Sequence, residues 1–433
     1  MEHLLKWLYP GMKMKRWLFL FALGVMFCTL GLALASNYKY FDAIEEKIFM
    51  IVYTHFGSYN LAITTFVGIF IILIGIFLIL YAIRQIIRSI IAVLVPNPTE
   101  ALVDMIFENR KLRRGANITV IGGGHGLSVL LRGLKMSTSN LSAVVTVADD
   151  GGSSGRLREE LGIIPPGDLR NCLVALADTE PLMEKLFQYR FEGESDLAGH
   201  SFGNLFIAAM HEVTGDMETA LRESSRVLAV KGRVIPASKE YVRLDAVMED
   251  GSIVKGESQI PEARKRIKRV KLFPRFVSPV PAAIDAIRSA DAIILGPGSL
   301  YTSIMPNLLV DGIADAVRKS KALKIYICNV MTQPGETDGY SVSDHARAII
   351  DHAGEGVIDY VLVNSTPISD AMKDHYAHEG AFPVEIDEEK IHALGLGFVQ
   401  SDIINETDVI RHDPSKLANA VMKMIDDLED KKS

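Results

Sequence analysis

A glycine-rich turn that follows an apolar strand is the feature that most constrains the fold of this chain. Residues 117–128 read NITVIGGGHGLS, so a β-branched run stops abruptly at four glycines. Glycine is needed there because only a residue without a Cβ readily adopts positive φ and lets a phosphate approach the backbone closely. The free N–H groups at the start of the following helix attract an anion. The pattern predicts a strand, a helix and, between them, a phosphate-binding loop formed by Gly122, Gly123, Gly124, His125 and Gly126.

This turn matches the known phosphate-binding motifs only in part. Gly122 and Gly124 fit the first half of the dinucleotide fingerprint G-x-G-x-x-G, but Leu127 occupies the position of the third glycine. The Gly-Lys-Ser/Thr of a P-loop does not occur in the sequence. The alternative is a tight turn between a strand and a helix that binds no ligand.

Two long uncharged segments near the N-terminus predict membrane-spanning helices. Trp17–Ala35 and Leu61–Ile83 contain no Asp, Glu, Lys, Arg or His, and each is long enough as a helix to cross a hydrocarbon core of ~30 Å. A cleaved signal peptide is the alternative for the first segment, but its apolar region is too long for one. Because neither segment contains an ionisable residue, we predict a membrane anchor rather than a transporter.

The charges that flank these segments predict a topology and a division into domains. Cations lie before the first segment and directly after the second, whereas residues 36–60 carry two lysines against three acids. The positive-inside rule therefore places both ends of a multi-pass cell-membrane protein in the cytoplasm. We predict a cytoplasmic tail over 1–16, a transmembrane hairpin over 17–83, a linker with a short amphipathic helix over 84–115, and an α/β domain over 116–433, for which the family resemblance given below implies nucleotide-sugar binding.

Charge and cysteine content exclude several classes of protein. The net charge of −7 argues against general nucleic-acid binding, although Arg264–Arg269 is a local basic run of the kind that usually forms a solvated surface. Cys28, Cys172 and Cys328 form no C-x-x-C motif, so neither a zinc site nor a disulfide framework is predicted. This usage fits a reducing cytoplasm. We expect a homo-oligomer.

Strands and helices alternate after residue 116, which predicts an α/β fold. A second strand, Leu141–Val147, completes a βαβ unit, whose crossover is nearly always right-handed and parallel. We therefore predict a Rossmann-like, mostly parallel sheet with helices on both faces, in which ligands bind at the carboxyl ends of the strands. Further strands are predicted at Ala292–Leu295, Lys324–Cys328 and Asp359–Val363. Helices are predicted at Asp168–Ala177, Pro181–Tyr189, Phe202–Val213, Pro281–Ala290, Leu308–Lys319, Ser343–Ala353, Ile368–His378 and Pro414–Leu428.

One stretch interrupts this alternation. Tyr241–Val247 and Ser252–Gly256 flank Glu249-Asp250-Gly251 and read as a β-hairpin. A further strand near Val270–Phe273 extends it. We predict a small antiparallel insertion in the parallel sheet.

Two adjacent acids follow the second predicted strand. Asp149 lies where a dinucleotide-binding fold keeps an acid for a ribose hydroxyl. Asp149 and Asp150 together form the candidate metal site, because Mg²⁺ favours one or two carboxylates plus substrate phosphate oxygens. The alternative is a turn capped by an Asp side chain. Arg156 and Arg170 are candidate phosphate ligands, because a guanidinium donates two parallel hydrogen bonds to phosphate.

The same turn also fits the nucleophile-elbow pattern G-x-S-x-G at residues 151–155. A serine hydrolase that uses Ser153 or Ser154 is therefore an alternative. Against it, the two preceding aspartates would disfavour a serine alkoxide. His211-Glu212 does not extend to H-E-x-x-H, so a zinc hydrolase has no support.

Other candidate ligand-binding residues lie in three more glycine-bearing segments, PPGDLRN, GHSFGN and GPGSLYTS. Each segment follows a predicted strand or begins a helix, where an anion binds readily. Capped turns without a ligand are the alternative. The candidates in these segments are Asp168, Arg170, Asn171, His200, Asn204, Gly296, Gly298 and Ser299.

Taken together, the motifs resemble a known family. IGGGHGLS, VADDGGSSGRLR, IPPGDLRNCLVAL, GHSFGNL, ILGPGSLYTSIMPNLLV and NVMTQPGET resemble the gluconeogenesis-factor (YvcK-like) family, which is related to the 2-phospho-L-lactate transferases (CofD-like). The resemblance extends from about residue 117 to residue 414. It implies a nucleotide site at the carboxyl edge of a Rossmann-like sheet.

The two branches of this family imply different functions. The gluconeogenesis-factor branch implies a UDP-sugar ligand, chiefly UDP-N-acetylglucosamine, and a role in cell-envelope precursor supply and morphogenesis on non-glycolytic carbon. The transferase branch implies transfer of a phospholactyl group from a guanosine-nucleotide donor to a deazaflavin with Mg²⁺. NVMTQPGET and GPGSLYTSIMPNLLV resemble the first branch. The usual members lack a membrane hairpin, so residues 1–114 are expected to be a departure from the family.

We predict that the protein regulates rather than catalyses. A transferase needs a base or an ion positioned at the acceptor, and beyond Asp149 and Asp150 the sequence assigns no carboxylate or histidine to that role. A regulator reports ligand occupancy through a partner. The expected partner is an enzyme of amino-sugar or cell-wall precursor synthesis.

Overall fold

The chain forms two compact units, Met1–Phe107 and Glu108–Ser433. The computed structural model describes residues 15–35, 50, 53–54, 61–94, 110–178, 181–406 and 409–432. Most of the amphipathic helix predicted in the linker lies outside these residues. Each unit is described by itself below.

In the described residues of the first unit the two long helices are α1 (Lys15–Ala35) and α2 (Leu61–Leu94). Both are long and apolar enough to cross a membrane by length and composition. The second helix extends beyond the predicted end at Ile83 and includes Arg84 and Arg88.

Glycines at heptad spacing bring these helices together. A Cβ on Gly24 would lie 2.9 Å from the carbonyl oxygen of Gly75, and a Cβ on Gly31 would lie 2.7 Å from that of Gly68. Gly24 faces Gly75 and Gly31 faces Gly68, so residue numbers rise along one helix as they fall along the other. The two helices are therefore antiparallel. Small residues at a helix crossing allow the backbones to approach closely, as in helix pairs that associate in lipid.

Seven parallel strands form the sheet of the second unit, in the order β10-β9-β8-β7-β1-β2-β3. A three-stranded antiparallel sheet, β5-β4-β6, and a two-stranded sheet, β11-β12, accompany it. The strands are β1 (Ile118–Gly122), β2 (Leu141–Val145), β3 (Arg233–Pro236), β4 (Arg243–Met248), β5 (Ile253–Lys255), β6 (Ile267–Phe273), β7 (Ala292–Leu295), β8 (Leu323–Ile327), β9 (Tyr360–Asn364), β10 (Gly397–Ser401), β11 (Ile404–Glu406) and β12 (Ile410–His412).

Helices surround the parallel sheet, which confirms the predicted Rossmann-like α/β class. They are α3 (Gly124–Leu134), α4 (Gly152–Leu161), α5 (Gly167–Leu176), α6 (Pro181–Gln188), α7 (Phe202–Thr214), α8 (Met217–Val227), α9 (Gln259–Glu262), α10 (Pro281–Arg288), α11 (Met305–Leu308), α12 (Ile313–Lys319), α13 (Val342–Ala353), α14 (Asp370–Glu379), α15 (Glu388–Ala393) and α16 (Pro414–Lys432). A π-helical turn, Leu300–Ile304, precedes α11.

The core forms around three adjacent strands of the parallel sheet, β7, β1 and β2. Every residue of β1, β2 and β7 is buried, as expected for strands covered by helices on both faces. Helix α3 packs so closely on α16 that a Cβ on Gly133 would lie 1.9 Å from the carbonyl oxygen of Pro414. The first and last helices of this unit are thereby fixed to one another.

The strand order reverses at β1, which fixes where a ligand site is expected. Chain order runs outward from β1 through β2 to β3 on one side, and from β7 to β10 on the other. Parallel pairing places Gly122 beside Val145 and Ile121 beside Leu295. The loops after β1 and β7 therefore separate at the carboxyl edge and leave a crevice, the usual ligand position in open α/β sheets.

Most predicted elements form with ends shifted by a few residues, and the antiparallel insertion is confirmed as β4, β5 and β6. The continuous helix predicted over Leu308–Lys319 is wrong. Helix α11 ends at Leu308 and α12 begins at Ile313, because Gly312 adopts the left-handed region at φ 81° between them. Strands β3 and β10 and helix α8 were not predicted from the sequence. The first two are short edge strands, and METALRESSRV carries a narrow apolar stripe.

Candidate functional site

A cleft of about 610 Å³ lies at the carboxyl edge of the sheet. This size falls within the range of small-molecule sites. Loops that follow β1, β2, β7 and β8 form its walls. Its lining includes Gly123, Gly124, His125, Gly126, Thr146, Asp149, Asp168, Glu257, Gly298, Ser299, Thr302, Asn329, Gln333, Tyr376 and Arg411.

The glycines of the first loop are required by close backbone contacts. Gly124 has φ of 67°, which a residue with a Cβ rarely adopts. A Cβ on Gly126 would lie 2.5 Å from the carbonyl oxygen of Pro297. A Cβ on Gly123 would lie 2.5 Å from the carboxylate of Asp168. The two glycine loops therefore pack against one another through backbone atoms at the floor of the cleft.

Asp168 lies in the first turn of α5, and its carboxylate reaches the start of α3. Its carboxylate accepts a hydrogen bond from the backbone N–H of Gly124. Burial, followed by the charge of Asp149, raises the pKa of Asp168 from 3.8 to about 7. Burial and the charge of Arg170 lower the pKa of His125, which favours the neutral imidazole beside this carboxyl group.

Asp149 faces the cleft from the loop after β2. Its carboxylate accepts a hydrogen bond from the N–H of Gly151 at 2.9 Å and another from the hydroxyl of Ser154. Burial nevertheless raises the pKa of Asp149, and the neighbouring Asp150 carboxylate adds to the rise. The hydroxyl oxygen of Ser154 also accepts from the N–H of Gly167 at 3.1 Å. Ser154 thus supports Asp149 from behind.

Asp150 has different contacts from its neighbour. Its carboxylate accepts the backbone N–H groups of Glu257 at 3.0 Å and Ser258 at 2.9 Å. It therefore holds the loop that leaves β5 and does not line the cleft. Only Asp149 of the predicted metal pair reaches the cleft, and Mg²⁺ binding stays a prediction.

Sequence reasoning missed Glu257, which lines the cleft, and Glu336, which lies behind Thr302 of the lining. Burial and the charge of Asp149 raise the pKa of Glu257 to about 8. Burial raises the pKa of Glu336 to about 7, although Glu336 accepts hydrogen bonds from Thr302 and from backbone N–H groups of the π-helical turn. The expectation that no carboxylate beyond Asp149 and Asp150 handles the proton of an acceptor stays a prediction. Glu336 lies in the segment after β8, and segments that follow parallel strands are expected at the ligand-binding edge. No local sequence signal places Glu257 at that edge.

The side chains available as metal ligands decide whether a cation can bind in the cleft. No group of three or more His, Cys, Asp and Glu side chains among the described residues is arranged to bind a metal ion. The charge of Asp149 nevertheless contributes to the raised pKa of Asp168, so these two carboxyl groups interact. One or two carboxylates completed by phosphate oxygens is the arrangement that Mg²⁺ prefers. These two residues fit an ion that arrives with a phosphate ligand.

Several predicted candidates form a polar layer outside the cleft lining. Ser153 Oγ lies 3.0 Å from Nδ1 of His200, and Nδ2 of Asn204 donates to the same oxygen at 3.0 Å. Arg170 donates to Ser201 and to Asn171. Because these contacts join the loops at 153, 170 and 200, the layer fixes the wall that carries Asp149 and Asp168.

The remaining candidates divide between the cleft and its surroundings. Arg156 is exposed and donates to the carbonyl oxygen of Ala198 at 2.7 Å. Gly122 is the last residue of β1, and Gly296 directly follows β7. Gly298 and Ser299 line the cleft. Ser299 accepts a hydrogen bond from Nε2 of Gln333 at 2.7 Å, which ties the second glycine loop to the segment after β8.

A larger cavity of about 990 Å³ lies at the opposite edge, near the amino ends of β7, β8 and β9. Two acidic residues of its lining accept hydrogen bonds from backbone N–H groups and so have a structural role. Asp291 accepts the backbone N–H of Asn117 at 2.8 Å, and Asp359 accepts that of Lys324 at 2.9 Å. The carboxyl-edge cleft is the better candidate because ligands of parallel sheets bind at that edge.

Comparison with known proteins defines the class. A family model described as 2-phospho-L-lactate transferase CofD matches residues 118–404. This is more than half of the chain, so the chain belongs to the CofD family. A crystal structure of a UPF0052-family protein from Bacillus halodurans matches with a TM-score of 0.69 and 56% identity, over 71% of this chain and 99% of that one.

Within this family the chain is similar to proteins named gluconeogenesis factor. The gluconeogenesis factor of Bacillus subtilis (strain 168) is 56% identical over 71% of this chain and 98% of that protein. A putative gluconeogenesis factor from Nostoc sp. is 48% identical over 96% of this chain and 92% of that protein. The predicted resemblance to the gluconeogenesis-factor branch is confirmed.

These relatives have two lengths. The match to the Bacillus subtilis protein leaves no room for the N-terminal unit, whereas the match to the Nostoc protein must include most of α1 and α2. A putative gluconeogenesis factor from Clostridium acetobutylicum, 44% identical over 97% of this chain, is of the longer kind. The expectation that residues 1–114 depart from the family is therefore corrected, since relatives share this extension.

We expect a fluorophosphonate probe to leave the protein unlabelled. Ser153 is only 6% exposed, and its hydroxyl accepts from Asn204 while donating to the imidazole, so it lacks access to an electrophile. Labelling is read by gel fluorescence, with Ser153→Ala and Ser154→Ala as matched variants. Labelling that only Ser153→Ala abolishes would establish the hydrolase instead.

We expect Glu257→Gln to stabilise the protein at high pH. The pKa of Glu257 is 4.5 in the unfolded chain and about 8 in the fold. Between these values the folded state holds more protons, so its stability falls as pH rises. Glutamine cannot ionise and removes this loss.

The measurement is the melting temperature at pH 5 and pH 9, compared with wild type at each pH. The variant should gain several degrees at pH 9 and much less at pH 5. Glu262→Gln, an exposed acid on the same insertion, should gain at neither. An equal gain at both pH values would contradict a raised pKa at Glu257.

Proposed function

We propose that this protein is a membrane-anchored regulator that binds UDP-N-acetylglucosamine or a related UDP-sugar at the carboxyl-edge cleft. The supporting observation is the contact between the two glycine loops, which forms a floor of backbone atoms beside the start of α3. A nucleoside-diphosphate sugar carries the charge and the hydroxyl groups that the floor and walls would recognise.

The diphosphate would lie over the glycine floor. First-turn N–H groups of a helix lack intrahelical acceptors, and at α3 those beyond Gly124 are available to an anion. Backbone approach at Gly123 and Gly126 keeps the phosphates close to these groups. Mg²⁺ bound with the diphosphate would neutralise its charge against Asp149 and Asp168.

The walls would select the sugar and the nucleoside. Carboxylates accept hydrogen bonds from hydroxyl groups, and Asp149 has the position of the ribose acid in dinucleotide folds. Thr302 and Gln333 add neutral polar groups on the opposite side. These groups suit a ligand rich in hydroxyl and amide groups.

Binding of UDP-N-acetylglucosamine to a fragment of residues 108–433 is the first expectation. Asp149→Asn should weaken it by about 10-fold or more, since hydrogen bonds to charged groups contribute ~1.5–3 kcal/mol. Calorimetry with Mg²⁺ measures both proteins, and Asp196→Asn, an exposed acid outside the cleft, is the matched control. Absence of heat and of any melting shift would refute the proposal, because bound ligand must raise apparent stability.

Regulation would act through a partner. The relatives carry the name of a factor rather than of an enzyme, which supports this part of the proposal. The partner would be an enzyme of amino-sugar or cell-wall precursor synthesis, and binding to it would depend on the UDP-sugar. Such a role fits the supply of envelope precursors and morphogenesis on gluconeogenic carbon sources.

A transferase is the second candidate, and the buried carboxyl groups favour it. Asp168, Glu257 and Glu336 have pKa values near neutrality, the range that suits proton transfer at an acceptor hydroxyl. The family model bears the name of a transferase. Asp149 and Asp168 would hold Mg²⁺, which supplies charge neutralisation of the donor phosphates.

We expect UDP-N-acetylglucosamine to stay chemically unchanged over hours with the protein and Mg²⁺. Incubation is followed by mass spectrometry, with a parallel sample that contains a deazaflavin and a phospholactyl-guanosine donor. Product that forms with wild type and is lost in Glu257→Gln would move the protein to the transferase branch. Glu262→Gln is the control for the loss of one acid.

Membrane anchoring would come from α1 and α2. Their length, apolar surface and close glycine packing support a helical hairpin in lipid. The cations at the N-terminal end of α1 and the C-terminal part of α2 favour cytoplasmic ends. The nucleotide-binding unit would then face the cytoplasm, where UDP-sugars are found.

We expect an alkaline phosphatase fused after Ser433 to be inactive in cells, because that enzyme folds only outside the cytoplasm. A fusion placed between α1 and α2 should be active. Activity is measured in intact cells with equal fusion protein on immunoblots. An active fusion at Ser433 would overturn the topology.

A further inference from the structure

The antiparallel insertion presents one face with an unusual composition. Register places Ile253, Val247 and Arg269 in one row across the three strands. The next row contains Lys255, Asp245 and Lys271, and Arg243 pairs with Phe273 beyond it. Side chains at alternate positions of paired strands share a face. We call these eight residues the cationic face.

The charge of this face is positive after its internal pairing. Asp245 is its only acid, and its carboxylate accepts from Nε of Arg243 at 2.7 Å. Lys255, Arg269 and Lys271 are exposed, and none of the ion pairs in the described part of the chain includes them. The face therefore carries three cations without a counterion.

The surroundings strengthen this charge. Residues 263–276 contain seven cations and no acid, in a protein with a net charge of −7. Large apolar side chains are exposed among them, with Ile253 at 56%, Phe273 at 59% and Phe276 at 75%. Apolar and cationic groups that share one exposed surface indicate a binding site rather than ordinary solvated surface.

We propose that the cationic face binds the surface of an anionic lipid bilayer. Lysine and arginine near such a surface each contribute about 1 kcal/mol to binding. Exposed Phe273, Phe276 and Ile253 supply side chains for the interfacial region. An exposed edge strand is also protected from aggregation by charges, but that role does not require exposed phenylalanines.

The test of this surface is separate from the test of nucleotide binding. None of its residues lines the cleft, so failure of the proposal leaves UDP-sugar binding unaffected. The unit of residues 108–433 is used for the test, because related proteins consist of this unit alone and one has been crystallised. Its use removes the two apolar helices, which would bind any vesicle.

The experiment measures co-sedimentation of this fragment with vesicles of phosphatidylcholine alone or with 30% phosphatidylglycerol. Binding should require phosphatidylglycerol and should disappear at high salt, because screening weakens exposed charges. Lys255→Glu/Arg269→Glu/Lys271→Glu should lower the partition coefficient by about 100-fold or more, the value for three residues at ~1 kcal/mol each. Phe276→Ala should weaken binding without changing its salt dependence.

The matched control is Lys185→Glu/Lys321→Glu/Lys423→Glu, which changes net charge equally at exposed positions elsewhere. It should keep most of the binding, and circular dichroism confirms that both triple variants fold. Equal loss in both variants, or no vesicle binding by wild type, would overturn the proposal. So would tighter binding to a 20-nucleotide RNA or DNA that competes with the vesicles.

Discussion

Backbone contact between two glycine loops is the constraint on which the rest of this site depends. The loop after β1 and the loop after β7 meet so closely that a Cβ on Gly126 would lie 2.5 Å from the carbonyl oxygen of Pro297. The contact occurs where the strand order reverses, so it closes the bottom of a crevice that the sheet topology opens. Asp168 then stands against Gly123 and accepts the N–H of Gly124, so the floor of the cleft, the start of α3 and the first acidic wall form one connected unit.

The acidic walls create an electrostatic problem that a ligand would solve. Asp149, Asp168 and Glu257 line one cleft, Glu336 accepts a hydrogen bond from Thr302 of the lining, and burial raises the pKa of each carboxyl group. Burial brings the pKa values of Asp168 and Glu336 to about 7 and that of Glu257 to about 8, so protons compete with a cation for these carboxyl groups. A metal ion that arrives with a diphosphate would replace those protons and lower the free energy of the ionised carboxyl groups. Ligand affinity should then depend on pH in the range where these groups titrate.

The sequence predicts much of the fold because its signals are local. NITVIGGGHGLS specifies β1, the glycine floor and α3 without help from distant residues, and GPGS does the same after β7. The position of Asp149 in the site could be predicted because this acidic residue closely follows a predicted strand. Glu257 could not, because it reaches the cleft only when Asp150 binds the backbone of the loop after β5, a contact between residues more than one hundred positions apart. The polar group of Ser153, His200 and Asn204 was also invisible, since a hydrolase elbow and a structural hydrogen-bond group share the same sequence pattern.

The insertion connects the two surfaces to which function is assigned here. Lys255 ends β5 on the cationic face, and Glu257, two residues later, lies in the cleft. Asp150 accepts the backbone N–H groups of Glu257 and Ser258, and it neighbours Asp149, which faces the cleft. Gly335 packs so closely on Pro261 that its Cβ would lie 2.0 Å from the carbonyl oxygen, so the insertion also contacts the segment that carries Gln333 and Glu336. Glu257 therefore lies on a loop that contacts cleft segments on both sides. Because the same loop continues into the cationic face, ligand binding in the cleft and contact with an anionic surface would both act on this loop.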